Sequence, residues 1–303
     1  MGKIQVNKLN TFSGHQDAIY TLEPGANSWE FYSGAGDGMV VAWNLQEPDA
    51  GKLIVNLPTS VYALEYLPEG HRLLVGQNYQ GIHLADLESN REIGSLKLTE
   101  AAVFDIKYHD GFAYVGSGDG TLHVVHLDSL SVVKQLKFSD KSVRCIAINP
   151  HNEQIAVGYS DHFIRIFSTD EHQLIQEFQA HQNSVFSLAY HPQKPLLLSA
   201  SRDAHLKVWS AEQPYELHHS IVAHMYAINH IEFSPSGHHF VTCSMDKSIK
   251  VWSSEQFQLL KVIDKARYAG HGTSVNKLYW SAYLSQLASC SDDRTISIWD
   301  IKL

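Results

Sequence analysis

One string of residue types recurs along the chain at a nearly fixed interval, and no other feature narrows the possible folds as severely. The string is Ser-x-Ser-x-Asp-x-x-apolar-x-apolar-Trp. It reads Ser199-Ala-Ser-Arg-Asp-Ala-His-Leu-Lys-Val-Trp209, Thr242-Cys-Ser-Met-Asp-Lys-Ser-Ile-Lys-Val-Trp252 and Ser289-Cys-Ser-Asp-Asp-Arg-Thr-Ile-Ser-Ile-Trp299, with a fourth copy from Ser33 to Trp43. Each of the four has a Gly-His or Ala-His pair upstream, at His15, His181, His224 and His271. In all four the His lies 28 residues before the Trp, the hydroxyl residue 10 before it and the Asp 6 before it. Three weaker copies intervene, with Ala85, Val125 and Phe167 in the Trp position, and the seven positions are spaced by 42, 40, 42, 42, 43 and 47 residues. A chain with this periodicity is expected to build seven copies of one small unit.

The unit reads as an antiparallel sheet. Apolar residues alternate with polar ones over short runs such as Ile164-Arg-Ile166 and Leu206-Lys-Val208, the period of half-buried strands. Asp37-Gly38 and Asp119-Gly120 stand between such runs as tight-hairpin signals. Asn149-Pro150, His191-Pro192 and Ser234-Pro235 mark turns at a matching place in three repeats. Apolar residues at 44% and charged residues at 18% are enough for a packed core and exclude a largely disordered chain.

These residues resemble the WD-repeat family, over essentially the whole chain. The resemblance implies an all-β fold, a seven-bladed β-propeller forming one domain over residues 1–303. Its blades would lie near 13–56, 57–97, 98–137, 138–178, 179–221, 222–268 and 269–303. It also implies that a Trp, a Ser or Thr, a His and an Asp in each complete repeat form a buried hydrogen-bonded tetrad, each group satisfying another. The tetrads would be His15, Ser33, Asp37 and Trp43; His181, Ser199, Asp203 and Trp209; His224, Thr242, Asp246 and Trp252; and His271, Ser289, Asp293 and Trp299. Blades two to four depart from this pattern. Asp119 and Asp161 keep the turn, but Val115 and Val157 replace the hydroxyl, Thr99 and Ser139 replace the His, and Tyr79 replaces the Asp of blade two. Those blades are expected to rely on apolar packing, and Asp161 to have no tetrad partner.

The last repeat reaches only its third strand, so residues 3–12 are expected to supply its outer strand and to cover an otherwise bare sheet edge. Cys145, Cys243 and Cys290 are too scattered for a disulfide framework or a metal knuckle and read as small buried thiols.

Ser, His and Asp together suggest a hydrolase triad, but here they recur with a Trp at the same offsets, which points to structure rather than catalysis. No catalytic residue, no cofactor and no metal site is expected: His123 and His126 alternate faces of a strand, and His238 and His239 fall in a turn. The net charge of −9 offers no basic field for nucleic acid or an anionic membrane. No apolar run approaches the length of a membrane span, and the first residues lack a signal-peptide core. A cytoplasmic, monomeric protein is expected.

The family resemblance implies partner contacts on the entrance face, at the residue five after each His position and the residue before each turn Asp. The first set is Tyr20, Tyr62, Phe104, Arg144, Phe186, Asn229 and Asn276. The second is Gly36, Asn78, Gly118, Ser160, Arg202, Met245 and Asp292. An inserted loop around Asp264-Lys-Ala-Arg267-Tyr268 would lie on the same face. Aromatic residues and Arg are the composition of interface hot spots, so the expected function is a non-catalytic scaffold for a protein or peptide. The bland alternative for the aromatics is that they plug the channel mouth. The alternative function is a small-ligand-binding or catalytic propeller working in its central channel.

Overall fold

The computed structural model describes residues 4–303. They form seven four-stranded antiparallel sheets, the seven blades of a β-propeller. The first strand, β1 (Gln5–Phe12), stands apart from its sequence neighbours. Blade one holds β2 (Ile19–Pro24), β3 (Glu30–Ala35), β4 (Met39–Asn44) and β5 (Glu47–Asn56). Blade two holds β6 (Val61–Leu67), β7 (Arg72–Gln77), β8 (Gly81–Asp86) and β9 (Arg91–Lys97). Blade three holds β10 (Val103–His109), β11 (Phe112–Ser117), β12 (Thr121–His126) and β13 (Ser131–Lys137). Blade four holds β14 (Val143–Ile148), β15 (Gln154–Tyr159), β16 (Phe163–Ser168) and β17 (Leu174–Gln179). Blade five holds β18 (Val185–Tyr190), β19 (Leu196–Ser201), β20 (His205–Ser210) and β21 (Leu217–Val222). Blade six holds β22 (Ile228–Phe233), β23 (His239–Ser244), β24 (Ile249–Ser253) and β25 (Leu259–Ile263). A one-turn helix, α1 (Lys265–Tyr268), leads to blade seven, with β26 (Val275–Trp280), β27 (Gln286–Ser291) and β28 (Ile296–Lys302).

The outer strand of blade seven is β1, paired antiparallel with β28 from Gln5 opposite Lys302 to Phe12 opposite Ile296. Residue 3, with which this strand is expected to begin, lies outside the described residues. Contacts divide the chain into two compact units: residues up to Val61 together with Asn229–Leu303, and Tyr62–Ile228.

The second strand of each sheet is nearly continuous in burial, as in β15 and β19, whereas outer strands such as β9 and β21 are mostly exposed. That is what short, almost wholly apolar runs produce when both faces of a sheet are covered. The residue nine before each Trp position is small in all seven repeats: Gly34, Gly76, Gly116, Gly158, Ala200, Cys243 and Cys290. At the glycine positions the cause is crowding by the next blade, joined in blade four by that blade's own Cys145. A Cβ on Gly116 would stand 2.6 Å from Val143 Cγ1, and one on Gly158 would stand 2.6 Å from Cys145 Sγ and 2.8 Å from Val185 Cγ1. Cys243 and Cys290 take this place as free, fully buried thiols, and burial pushes the Cys243 thiol far above its usual range.

Candidate partner-binding site

The ends of the sheets are pinned by polar networks in the strand-connecting turns. In blade five the Trp209 indole N–H donates to Ser199 Oγ at 2.8 Å, Ser199 meets His181 Nε2 at 2.7 Å, and His181 Nδ1 reaches Asp203 at 3.0 Å. Asp203 also accepts the backbone N–H groups of Gln182 and His205, tying the loop before the inner strand to the turn between β19 and β20. Blades one and seven repeat this through His15, Ser33, Asp37 and Trp43 and through His271, Ser289, Asp293 and Trp299. In blade six Trp252 donates to Thr242 Oγ1 at 2.9 Å, His224 is buried, and Ser248 donates to Asp246. Burial drives the His15 and His181 imidazoles below their ordinary pKa even beside Asp37 and Asp203. Burial would raise the Asp203 carboxyl, but His181 and the two N–H groups hold it well below the usual carboxylate range.

Blades two to four do not rely on apolar packing alone, contrary to the sequence expectation. In blade three Thr99 Oγ1 donates to Asp119 at 2.8 Å, doing the work of the missing His, and Ser117 donates to the same carboxylate at 2.7 Å while meeting His123 Nε2 at 3.2 Å. Against the cost of burial, these bonds hold the Asp119 pKa at about 2. In blade two His83 Nε2 donates to Gln77 Oε1 at 2.6 Å. In blade four Asp161, without a His or hydroxyl of a tetrad, is met instead by a guanidinium: Arg165 Nη1 lies 2.9 Å from it, and Arg165 Nε donates to Glu177 at 3.0 Å. That guanidinium is also stacked 4.4 Å from the Tyr159 ring.

The residue five after the His position acquires its direction from a backbone irregularity. In β10, Val103 pairs with Ser117 and Asp105 with Gly116, so Phe104 is the extra residue of a β-bulge. Arg144, Phe186, Tyr20 and Asn276 occupy the same place in β14, β18, β2 and β26, each between register partners that skip it. A bulge re-aims the side chain of its extra residue away from the pleat. The repeat therefore presents this position in five blades by one device.

In the unit formed by residues 62–228 those side chains make one continuous stack. Tyr62 and Phe104 lie ring to ring at 5.8 Å, the Arg144 guanidinium stands 3.8 Å from the Phe104 ring, and it also lies 4.8 Å from the Phe186 ring. All four are partly exposed. Arg144 has no hydrogen bond and no carboxylate partner among the described residues, and its Nε is buried with nothing to receive its proton. Burial lowers its pKa from the ordinary value. A guanidinium stays charged all the same.

The equivalent residues of the other unit serve the fold instead. Asn229 Nδ2 donates to Ser274 Oγ at 3.0 Å and to the Val275 carbonyl at 2.8 Å. Asn276 Nδ2 donates to the Ile19 carbonyl at 2.9 Å and to Asp292 at 2.8 Å, and its carbonyl accepts from Ser274. Both amides thus tie one inner strand to the next. Tyr20 is partly exposed, while Met245 and Arg202 are exposed at the turn positions. The inserted loop folds as α1, in which Arg267 grips Asp264 through Nε and Nη2, and Tyr268 packs on the core of blades six and seven under Lys261. Among the described residues, no three His, Cys, Asp or Glu are placed to hold a metal ion, and no helix is long and apolar enough to cross a membrane.

Seven four-stranded sheets, of which blades one, five and seven carry the complete Trp-Ser-His-Asp network, define the class, a WD-repeat β-propeller. The family described as WD domain, G-beta repeat, matches residues 130–168, 172–210, 215–253 and 263–300, about half of the chain, and the chain belongs to it. Each match runs from near the outer strand of one blade through the three inner strands of the next. Among curated proteins, Protein groucho of Drosophila melanogaster is 24% identical over 222 residues, 70% of this chain and 30% of that protein. A striatin homolog of Dictyostelium discoideum is 26% identical, covering 64% of this chain and 26% of its own. Eukaryotic translation initiation factor 3 subunit I of Aspergillus oryzae is 23% identical over 279 residues, 69% of this chain and 83% of that one. The chain thus spans under a third of the first two relatives and most of the third.

Proposed function

We propose that this protein is a non-catalytic scaffold that binds a protein or peptide across the row Tyr62, Phe104, Arg144 and Phe186, with Arg202 at its margin. The observation that carries this reading is the stack itself, presented by bulges at Phe104, Arg144 and Phe186, in which aromatic rings and a guanidinium lie side by side and partly exposed. Rigid aromatic and Arg anchors supply most interface energy at little entropic cost. The Ser, His and Asp groups that could suggest catalysis are spent on Trp indoles and backbone N–H groups, as in blade five. One relative is, by its name, a subunit of a translation factor, which agrees with a life among other proteins. We place the protein in the cytoplasm, as a monomer whose seven blades form one domain; the completion of the last sheet by β1 supports the last point.

The test begins with capture of partners by the tagged full-length chain, followed by cross-linking and calorimetry on the partner found. Changing Arg144 and Phe186 together to Ala should weaken binding at least about tenfold, given about 1 to 2 kcal/mol per anchor. Changing His238, in the turn between β22 and β23, and His239, which the structure places as the first residue of β23 rather than in the expected turn, to Ala should leave it unchanged. Unchanged affinity in the first variant with loss in the second would refute the assignment.

A further inference from the structure

Arg144 carries a charge that the fold itself does not answer. Four features of its surroundings define what would answer it. Rings from the two neighbouring blades crowd the guanidinium, Phe104 at 3.8 Å and Phe186 at 4.8 Å from its centre, which leaves its N–H edge to a ligand. That edge bears N–H donors with no acceptor among the described residues, the Nε being buried and unpaired. A fixed planar fork of donors matches a carboxylate, which can accept two parallel bonds. Arg144 is the one cation within the row itself, with Arg202 exposed at its margin, and a singly charged anion balances Arg144.

From this geometry we infer that Arg144 is the receptor for a carboxylate side chain, Asp or Glu, in an extended segment of the partner protein. The inference rests on the reading of this row as the binding face and adds to it the chemistry of the occupant. A side chain is favoured over a chain terminus because aromatic anchors flank the guanidinium on both sides, Tyr62 and Phe104 on one and Phe186 on the other. A segment crossing the row continues in both directions and has contacts to make in each. The stacking also explains how an unpaired guanidinium is tolerated before the partner arrives, since the ring faces present negative charge to a cation. The expected complex is then one in which the partner's carboxylate is desolvated between two rings, where a charge-assisted bidentate pair is strongest.

Random dodecapeptide arrays can test this with the full-length chain as the probe. One array contains Asp and Glu, a second has Asn and Gln in their place, both with amidated C-termini, and a third lacks side-chain acids but ends in a free carboxylate. Binders should come from the first array. Their affinity should fall at least tenfold in Arg144→Leu and in part in Arg144→Lys, and should weaken in Phe186→Ala. Because Leu removes an unanswered charge, the melting temperature of Arg144→Leu should equal or exceed that of the parent. Equal binding to the second array that is still weakened by Phe186→Ala would overturn the carboxylate assignment and leave the binding face standing. Binding insensitive to every variant would overturn both. Binders from the third array alone would replace the side chain by a terminus, and a lower melting temperature with unchanged binding would make Arg144 a structural plug. Failure of all three arrays to yield a binder would also overturn the assignment.

Discussion

Asp161→Ala offers the sharpest test of how blade four is held together. The change removes the carboxylate 2.9 Å from Arg165 Nη1 and the acceptor of the Phe163 N–H, and it leaves the guanidinium, with only 6% of its side chain exposed, facing Glu177 alone. Losing one partner of a buried pair costs about 3 to 5 kcal/mol. Glu177, 47% exposed, still neutralises part of the charge. A lost turn hydrogen bond adds about 1 kcal/mol. The expected loss is about 3 kcal/mol, close to the ~2 to 4 kcal/mol expected for His181→Ala in the complete tetrad of blade five. With about 2.1 cal/mol/K of unfolding entropy per residue, this corresponds to a melting point lower by about 5 °C if the fold melts as a unit. Combining Asp161→Ala with Arg165→Met removes the stranded charge while keeping its apolar bulk over Tyr159, so the double variant should recover about 1.5 to 2 kcal/mol relative to the single one. Urea denaturation of the four proteins of the cycle measures each term. An Asp161→Ala loss below about 1 kcal/mol, or a double variant as unstable as the single, would refute the ion-pair account and restore the simpler expectation of a blade held by packing alone.

Acid should destabilise the protein in two stages. The His15 and His181 imidazoles are held below their ordinary value of 6.5, so the folded state binds fewer protons than the unfolded one and stability falls as pH drops below about 6.5; the depressed carboxyls of Asp37, Asp203 and Asp293 add a further loss below about 3.8. Urea midpoints that stay flat between pH 7.5 and 5 would contradict the first stage. Gly158→Ala should cost about 1 to 3 kcal/mol by forcing Cys145 and Val185 apart, and a melt unchanged within error would show that the blades have slack there. Deleting residues 1–12 should bare the β28 edge and lower the melting temperature, and a truncated chain melting within a degree or two of the full one would contradict the role of β1.

Much of this architecture was legible in the sequence because it repeats. The offsets among His181, Ser199, Asp203 and Trp209 are copied in other repeats, and a hydrogen-bonded set that recurs can be recognised without coordinates. The substitutes in blades two to four escaped because each is built once. Arg165 answers Asp161 from four residues on, and Thr99 stands in for a His with a different reach, so no copy elsewhere in the chain announces either. The bulges escaped for another reason. Alternation shows which residues face a core, but an extra residue such as Phe104 is defined only by its register against the partner strand, which local sequence does not encode. The same limit grouped Asn276 with Phe186, although its amide is spent on Ile19 and Asp292.

The pairing of β1 with β28 also sets a timetable for synthesis. Strand β1 leaves the ribosome long before its partner and cannot find it until everything from residue 13 to residue 295 has been made, about 15 to 60 s later at roughly 5 to 20 residues per second. Through that interval it is an unpaired strand, the kind of segment that seeds wrong association. Its own sequence limits the hazard, since Gln5, Asn7 and Asn10 interrupt its apolar positions and Lys8 places a charge at its middle. Lys8 later donates to the Ala269 carbonyl beyond α1, and its ammonium lies 5.7 Å from the Trp299 ring. The residue that guards the nascent strand thus becomes one of its fastenings once the final blade is complete.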